Sequence, residues 1–156
     1  MKASVSVQEA DFDLSSEVRA LTTGEHSVGA VASFVGLVRD NNDGTGVADM
    51  TLEHYPGMTE KALNEIVVQA GERWQLLGVR VIHRVGHLKP GEQIVLVVVS
   101  SPHRGNAFAA CEFIMDYLKT QAPFWKKEST SAGSRWVDAR ESDDAALEKW
   151  QDQIGM

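Results

Sequence analysis

Apolar and polar positions alternate along this chain with two different periods, and the points where the period changes mark out its elements. Ser4–Gln8 alternates at period two and predicts a first strand; Leu14, Val18 and Leu21 recur at helical spacing, in a short helix stopped by Gly24. Gly29–Arg39 reads as a buried strand, with Gly36 marking a bulge or a close backbone approach. The polar run Asp40–Gly46 predicts a flexible loop. Val47–Tyr55 predicts the next strand, with Met50, Leu52 and His54 on one face and Asp49, Thr51, Glu53 and Tyr55 on the other. After a Pro56-Gly57 turn, Leu63, Ile66, Val67, Ala70 and Trp74 form the stripe of a long helix whose region ends at Gly78. Val79–Val85 alternates as a strand, Lys89–Glu92 is a turn, and Gln93–Ser100 is the most apolar strand, expected at the centre of its sheet.

The most informative stretch follows. Ala107, Cys111, Ile114 and Leu118 carry a helix into Lys119, and Pro123 forces it to end near Thr120–Gln121. Phe124–Glu128 then reads as a short strand with Phe124, Lys126 and Glu128 on one face. Ser131–Ser134 predicts a hairpin turn into Arg135–Ala139, and Asp143 or Asp144 is placed to cap a last short helix. Strands joined both by tight turns and by helices predict an α+β class, with residues 1–156 forming one domain.

That pattern brings two lysines together across a chain reversal. Neighbouring ammonium groups lower each other's pKa, and such a lysine can exchange protons or attack a carbonyl. The plainer reading is that Lys119 complements a helix dipole while Lys126, Lys127 and Glu128 form a solvated strand face. Arg39, at the end of a strand before a polar loop, and His103-Arg104, at the start of the long helix, are each suited to an anion and equally to a plain surface.

Charge and composition narrow the classes. The net charge of −7 disfavours nonspecific nucleic-acid binding, yet Ser100–Arg140 holds six basic residues against four acidic ones, which suits an anionic ligand or an acidic partner surface. Cys111 is the sole cysteine and lies on an apolar stripe, so a disulfide is excluded and an inert buried thiol is expected. His83 and His87 lack a carboxylate or thiolate partner nearby, which argues against a metal site; Gly44-Thr45-Gly46 lacks the Lys-Ser/Thr of a phosphate loop. The apolar run Ile94–Val99 is too short to span a bilayer, and no signal-peptide core is evident, so a cytoplasmic protein is expected.

Five segments then carry a resemblance: LEHYPGMTEKAL (Leu52–Leu63), VIHRVG (Val81–Gly86), HRGNAF (His103–Phe108), FIMDYLKTQAPFWKKE (Phe113–Glu128) and RWVDARESD (Arg135–Asp143). They closely resemble the large, catalytic subunit of molybdopterin synthase over nearly the whole chain beyond its first two dozen residues. The resemblance implies an α/β hammerhead fold, mainly antiparallel, with packed helices and a small additional hairpin sheet. It implies sulfur transfer from a thiocarboxylate at the C-terminus of a small ubiquitin-like carrier subunit to cyclic pyranopterin monophosphate, forming the dithiolene of molybdopterin. It implies a homodimer core within a heterotetramer, and no cofactor or metal. By position, the implied pocket takes in Leu37, Val38, Arg39, His103, Arg104, Lys119, Lys126, Lys127, Glu128 and Arg140. Where the family often has a polar or basic residue this chain has Leu37, leaving that position its backbone. Lys119 is expected to be the main acid/base and oxyanion-stabilising group, Lys126 to assist, Glu128 to hold a lysine, and the carrier tail to thread into a groove near Phe34, Arg39 and the Phe124–Glu128 strand. Two rival classes are a non-catalytic adaptor for a ubiquitin-like tail and a Schiff-base lysine enzyme.

Overall fold

The computed structural model describes residues 1–39, 41–42, 45–130, 133–137, 147–148 and 150, and the side chains of 1–39, 49–126, 147, 148 and 150. In chain order the elements are β1 (Lys2–Gln8), α1 (Leu14–Thr22), β2 (Ala30–Leu37), β3 (Asn41–Asn42), β4 (Thr45–His54), α2 (Met58–Arg73), β5 (Gly78–Arg84), β6 (Gly86–Leu88), β7 (Gln93–Ser101), α3 (Arg104–Gln121), β8 (Phe124–Thr130) and β9 (Gly133–Val137).

The first sheet has the order β1-β5-β7-β2. β1 and β5 run parallel, and the remaining pairs are antiparallel. Helices cover both faces. Val79, Val81, Val95, Val97 and Val99 point into the larger core with α2 and α3, whereas Ile82, Leu96 and Val98 meet Leu21 and Val18 of α1 on the other side. This explains two departures from the sequence pattern. β5 does not alternate between buried and exposed positions, because both of its faces are covered. β2, expected to be buried, is an edge strand: Val31, Phe34 and Leu37 are exposed and Ala32 is its one buried side chain. The expected bulge is present, with the register shifting between Gly36 and Leu37. A Cβ on Gly36 would lie 2.6 Å from Val95 Cγ1, so only glycine fits that approach.

The second sheet has the order β3-β4-β8-β9, with β6 paired to β4. Met50 and Leu52 of β4 and Leu88 of β6 turn inward to the larger core. β6 continues almost directly from β5, and its first residue, Gly86, has φ 88°, a left-handed conformation that lets the strand leave one sheet and enter the other. The strand β6 was not expected, nor was β3, which pairs with the start of β4 inside the predicted loop; two or three residues carry no readable periodicity. The long helix ends at Arg73, ahead of Gly78, which opens β5. The hairpin β8–β9 forms as expected but with β8 reaching Thr130 and β9 opening at Gly133 inside the expected turn, so that Lys126 lies opposite Val137 and Thr130 opposite Gly133. The expected cap at Asp143 or Asp144 lies outside the described residues, but residues 147, 148 and 150 are helical. Trp150 packs edge-on against Trp74 and Phe113, and its indole N–H donates to the Asp116 carboxylate. Among the described residues no helix is long and apolar enough to cross a membrane.

Candidate active site

Three strands and a helix end converge where the lysines were expected. α3 is continuous from Arg104 to Gln121 and stops at Ala122, whose extended backbone (ψ 133°) is what a following proline demands. The reversal is then held from outside. The hydroxyl of Thr59, fully buried in the first turn of α2, donates to the Pro123 carbonyl at 3.0 Å and accepts the Tyr55 N–H at 3.0 Å. The Phe124 N–H donates back to the Ala122 carbonyl at 2.9 Å. β8 pairs with β4 so that Phe124 lies opposite His54 and Lys126 opposite Leu52. Paired residues share a face, so Lys126 stands on the same face as Phe124, next to the core rather than on the outer surface. Lys119, in the last turn of α3, is exposed.

His83, which the sequence offers only as a poorly supported metal ligand, sits at this junction. His83, near the end of β5, stacks on Phe124 with ring centroids 4.0 Å apart and planes inclined by 24°. Its Nδ1 is 2.9 Å from the Arg84 carbonyl oxygen. Burial holds the imidazole neutral, bringing its pKa down to about 3; the Arg84 carbonyl opposes the shift, and the charges of Lys119, Lys126 and His54 add to it. Both ammonium groups therefore lie within electrostatic reach of one buried ring. The signal in the sequence was a histidine in register with Val79 and Val81 on an apolar strand face, a pattern that fits a core histidine equally well.

Sheet register tells which other candidates join them. His83 pairs with Val95, and Val95 pairs with Gly36, so the end of β2 lies two strand spacings, about 10 Å, from His83. Leu37 and Arg39 are exposed at that end. Val38 has a buried side chain, its N–H donates to the Glu92 carbonyl at 2.9 Å and its carbonyl accepts the Gly91 N–H at 2.7 Å. Its part is to clamp the strand end that presents its neighbours. His103 and Arg104 lie at the opposite end. β7 runs away from the site, from Gln93 to Ser101, and α3 returns along the sheet, so Arg104 and Lys119 are separated by about 22 Å of helix. His103 caps α3 without a side-chain bond, and its N–H donates to Ser101 Oγ at 3.1 Å. Lys127 and Glu128 lie in β8 opposite Thr51 and Met50, with side chains outside the described set; Arg140 lies outside the described residues.

Other chemistry is sparse. Cys111 is buried on α3, and burial raises its thiol to about 11, so it is no nucleophile at neutral pH. His87 Nε2 lies 3.0 Å from Asp49 Oδ2, at an exposed position. Among the described residues no cluster of three metal-ligating side chains occurs.

The family described as MoaE protein matches residues 7–121. A molybdopterin synthase catalytic subunit from Ralstonia nicotianae is 66% identical over 146 residues, covering 94% of this chain and 83% of the relative. The solved structure of a molybdopterin biosynthesis MoaE protein from Burkholderia ambifaria is 58% identical, with a TM-score of 0.83, and covers 96% of this chain and 98% of its own. A Helicobacter pylori structure, a protein–protein complex of subunits 1 and 2 of molybdopterin-converting factor, has the same fold at 19% identity, with a TM-score of 0.69 and coverage of 88% of this chain and 90% of its own.

Proposed function

The chain belongs to the MoaE family, that of the molybdopterin synthase catalytic subunit in molybdenum cofactor biosynthesis, and on that premise we propose a sulfurtransferase whose working groups are Lys119 and Lys126. The observation that carries the reading is the convergence of both lysines on His83 at the sheet end where Arg39 is exposed. Cations gathered at one place suit a substrate bearing a phosphate and a donor bearing a terminal acyl group. The one thiol in the chain is buried and protonated, so the sulfur comes from outside, as the thiocarboxylate of a small ubiquitin-like carrier. In each transfer the thiocarboxylate sulfur bonds to a pterin carbon as that carbon's C–O bond breaks and its oxygen leaves as water or as the opened phosphate ester. Water then adds to the resulting thioester carbonyl and the carrier's C–S bond breaks, leaving the carrier as a carboxylate and the sulfur on the pterin as a thiolate. Lys119 stabilises the oxyanion that develops at the thiocarboxylate carbonyl. Lys126 orients the same group, and Glu128 holds a lysine in place.

The carrier tail approaches in extended form. β8 has β4 on one side and β9 on the other, so it offers no free edge, whereas β2 ends its sheet and carries exposed Phe34 beside the site. The tail therefore runs along β2 towards Lys126. A carrier shortened by its last two residues binds but donates no sulfur; donation by the shortened carrier rejects this path. Since His103 and Arg104 lie a helix length from Lys119, they serve a second pocket across a two-fold homodimer, each pocket taking its lysines from one chain and His103-Arg104 from the other. The direct test of the whole reading is to mix the purified chain with thiocarboxylated carrier and cyclic pyranopterin monophosphate and seek the dithiolene product by mass spectrometry. Pterin returned unchanged defeats it.

A further inference from the structure

His83 is a titratable side chain buried at this junction that the proposed chemistry leaves without a task. It occupies a strand face otherwise built from Val79 and Val81. A phenylalanine there would fill the space, stack on Phe124 and bury no polar atom, so packing alone does not account for an imidazole. A carbonyl oxygen only accepts, so Nδ1, 2.9 Å from the Arg84 oxygen, carries the proton. In the neutral ring Nε2 then has a bare lone pair, and the tautomer is set by the backbone. The ring's other partner is Phe124, the first residue of β8 and one pleat, about 7 Å, from Lys126 on the same face. The charges that act on the ring are those of Lys119 from α3, Lys126 from β8 and His54 from β4. Against the ammonium groups a lone pair attracts, whereas a charged ring would repel and favour the uncharged amines.

We infer that His83 is a positioning residue of the lysine site, a neutral imidazole fixed in one tautomer that sets the start of β8 through Phe124 and supplies the site's uncharged acceptor among its cations. The inference rests on the proposed role of Lys119 and Lys126. It assigns β5 a function beyond the core: the strand ends in the piece that aligns β8 with α3. The stack on Phe124 and the Thr59 bond to Pro123 act on adjacent residues, so the path of the chain between the two lysines is held at two successive points.

Two variants and two spectroscopic readings test it, all on the full chain. His83→Phe keeps a ring on Phe124 and removes both nitrogens; His83→Gln returns an amide oxygen towards the place of Nε2. With thiocarboxylated carrier and cyclic pterin, His83→Phe is expected to turn over about 10–10²-fold more slowly, the size of a modest misplacement of a reacting group. Its KM for the carrier and its melting temperature stay near wild type, and His83→Gln recovers part of the rate. Without substrate, the Lys126 signal in spectra of 13C-methylated lysines, assigned with Lys126→Arg, is expected to move in His83→Phe. In the 15N-histidine spectrum of the wild type, His83 keeps one protonated Nδ1 and one bare Nε2 from pH 8 to pH 5. A His83→Phe protein with wild-type turnover and an unmoved Lys126 signal overturns the inference, as does a His83 that titrates near pH 6.5. If His83→Phe does not fold, His83→Gln carries the kinetic test, and a loss of rate equal to that of Lys126→Ala with no change at Lys126 counts against positioning. A wild-type chain that forms no dithiolene product would sink the proposed function instead, and the two spectra would still judge His83.

Discussion

Thr59→Val is the sharpest test of how the two lysines are brought together. The substitution keeps the shape of the side chain and deletes a hydroxyl that is fully buried and doubly used: it donates to the Pro123 carbonyl at 3.0 Å and accepts the Tyr55 N–H at 3.0 Å. Neither backbone group gains another partner from a methyl group. Each buried group left unsatisfied costs about 1–3 kcal/mol, and both sit at a turn where water has partial access, so the lower half of that range applies. The expected loss is about 2 kcal/mol, which for a chain of this size lowers the melting temperature by roughly 4–8 °C. Thr59→Ser is the control. It keeps the oxygen and loses one buried methyl group, about 0.8 kcal/mol. Thermal and urea unfolding measure both. Turnover adds a second reading, because Pro123 lies between Lys119 and Lys126: Thr59→Val should lower kcat well below the wild-type value while carrier binding is kept. A Thr59→Val protein as stable as Thr59→Ser would refute the hydroxyl's role as the latch of this turn.

Three further outcomes are expected. Lys119→Ala should lose about 10²–10³ in rate, as when one oxyanion donor is removed, with carrier binding little changed; near-normal turnover would favour a pure adaptor, and borohydride trapping of the wild type by a small carbonyl compound would favour a Schiff-base enzyme. Arg104→Ala and Lys119→Ala homodimers should each be nearly inactive, and the mixed dimer should regain activity towards half of wild type, because one of its two pockets is intact; exchanged dimers that stay inactive reject the shared pocket. Stability should fall as the pH drops below 6.5 towards 3, because His83 takes up a proton in the unfolded chain and not in the folded one. The slope from this group approaches 1.4 kcal/mol per pH unit, and urea midpoints for wild type and His83→Phe across that window check it, the variant lacking this component.

Local chemistry alone determined much of this protein. The Ala107-Cys111-Ile114-Leu118 stripe and Pro123 defined α3 and its end, because a helix repeats its buried face every three to four residues and proline cannot continue it. The β8–β9 hairpin was legible for the same reason, since it depends on residues close in sequence, and the bulge at Gly36 was legible from the glycine alone although its cause, the approach of Val95, lies far along the chain. What needed the tertiary structure was decided by partners distant in sequence. β2 is an edge strand and β5 is covered on both faces because of where β7 and the helices lie, and no pattern within either strand records its neighbours. Val38 is tied down by hydrogen bonds to a turn more than fifty residues away. Thr59 joins the site through Pro123, and His83 through Phe124. Each of those residues looks ordinary in its own segment; the site forms because two sheets and the end of α3 meet there, and burial, electrostatics and hydrogen bonding act on distance in space.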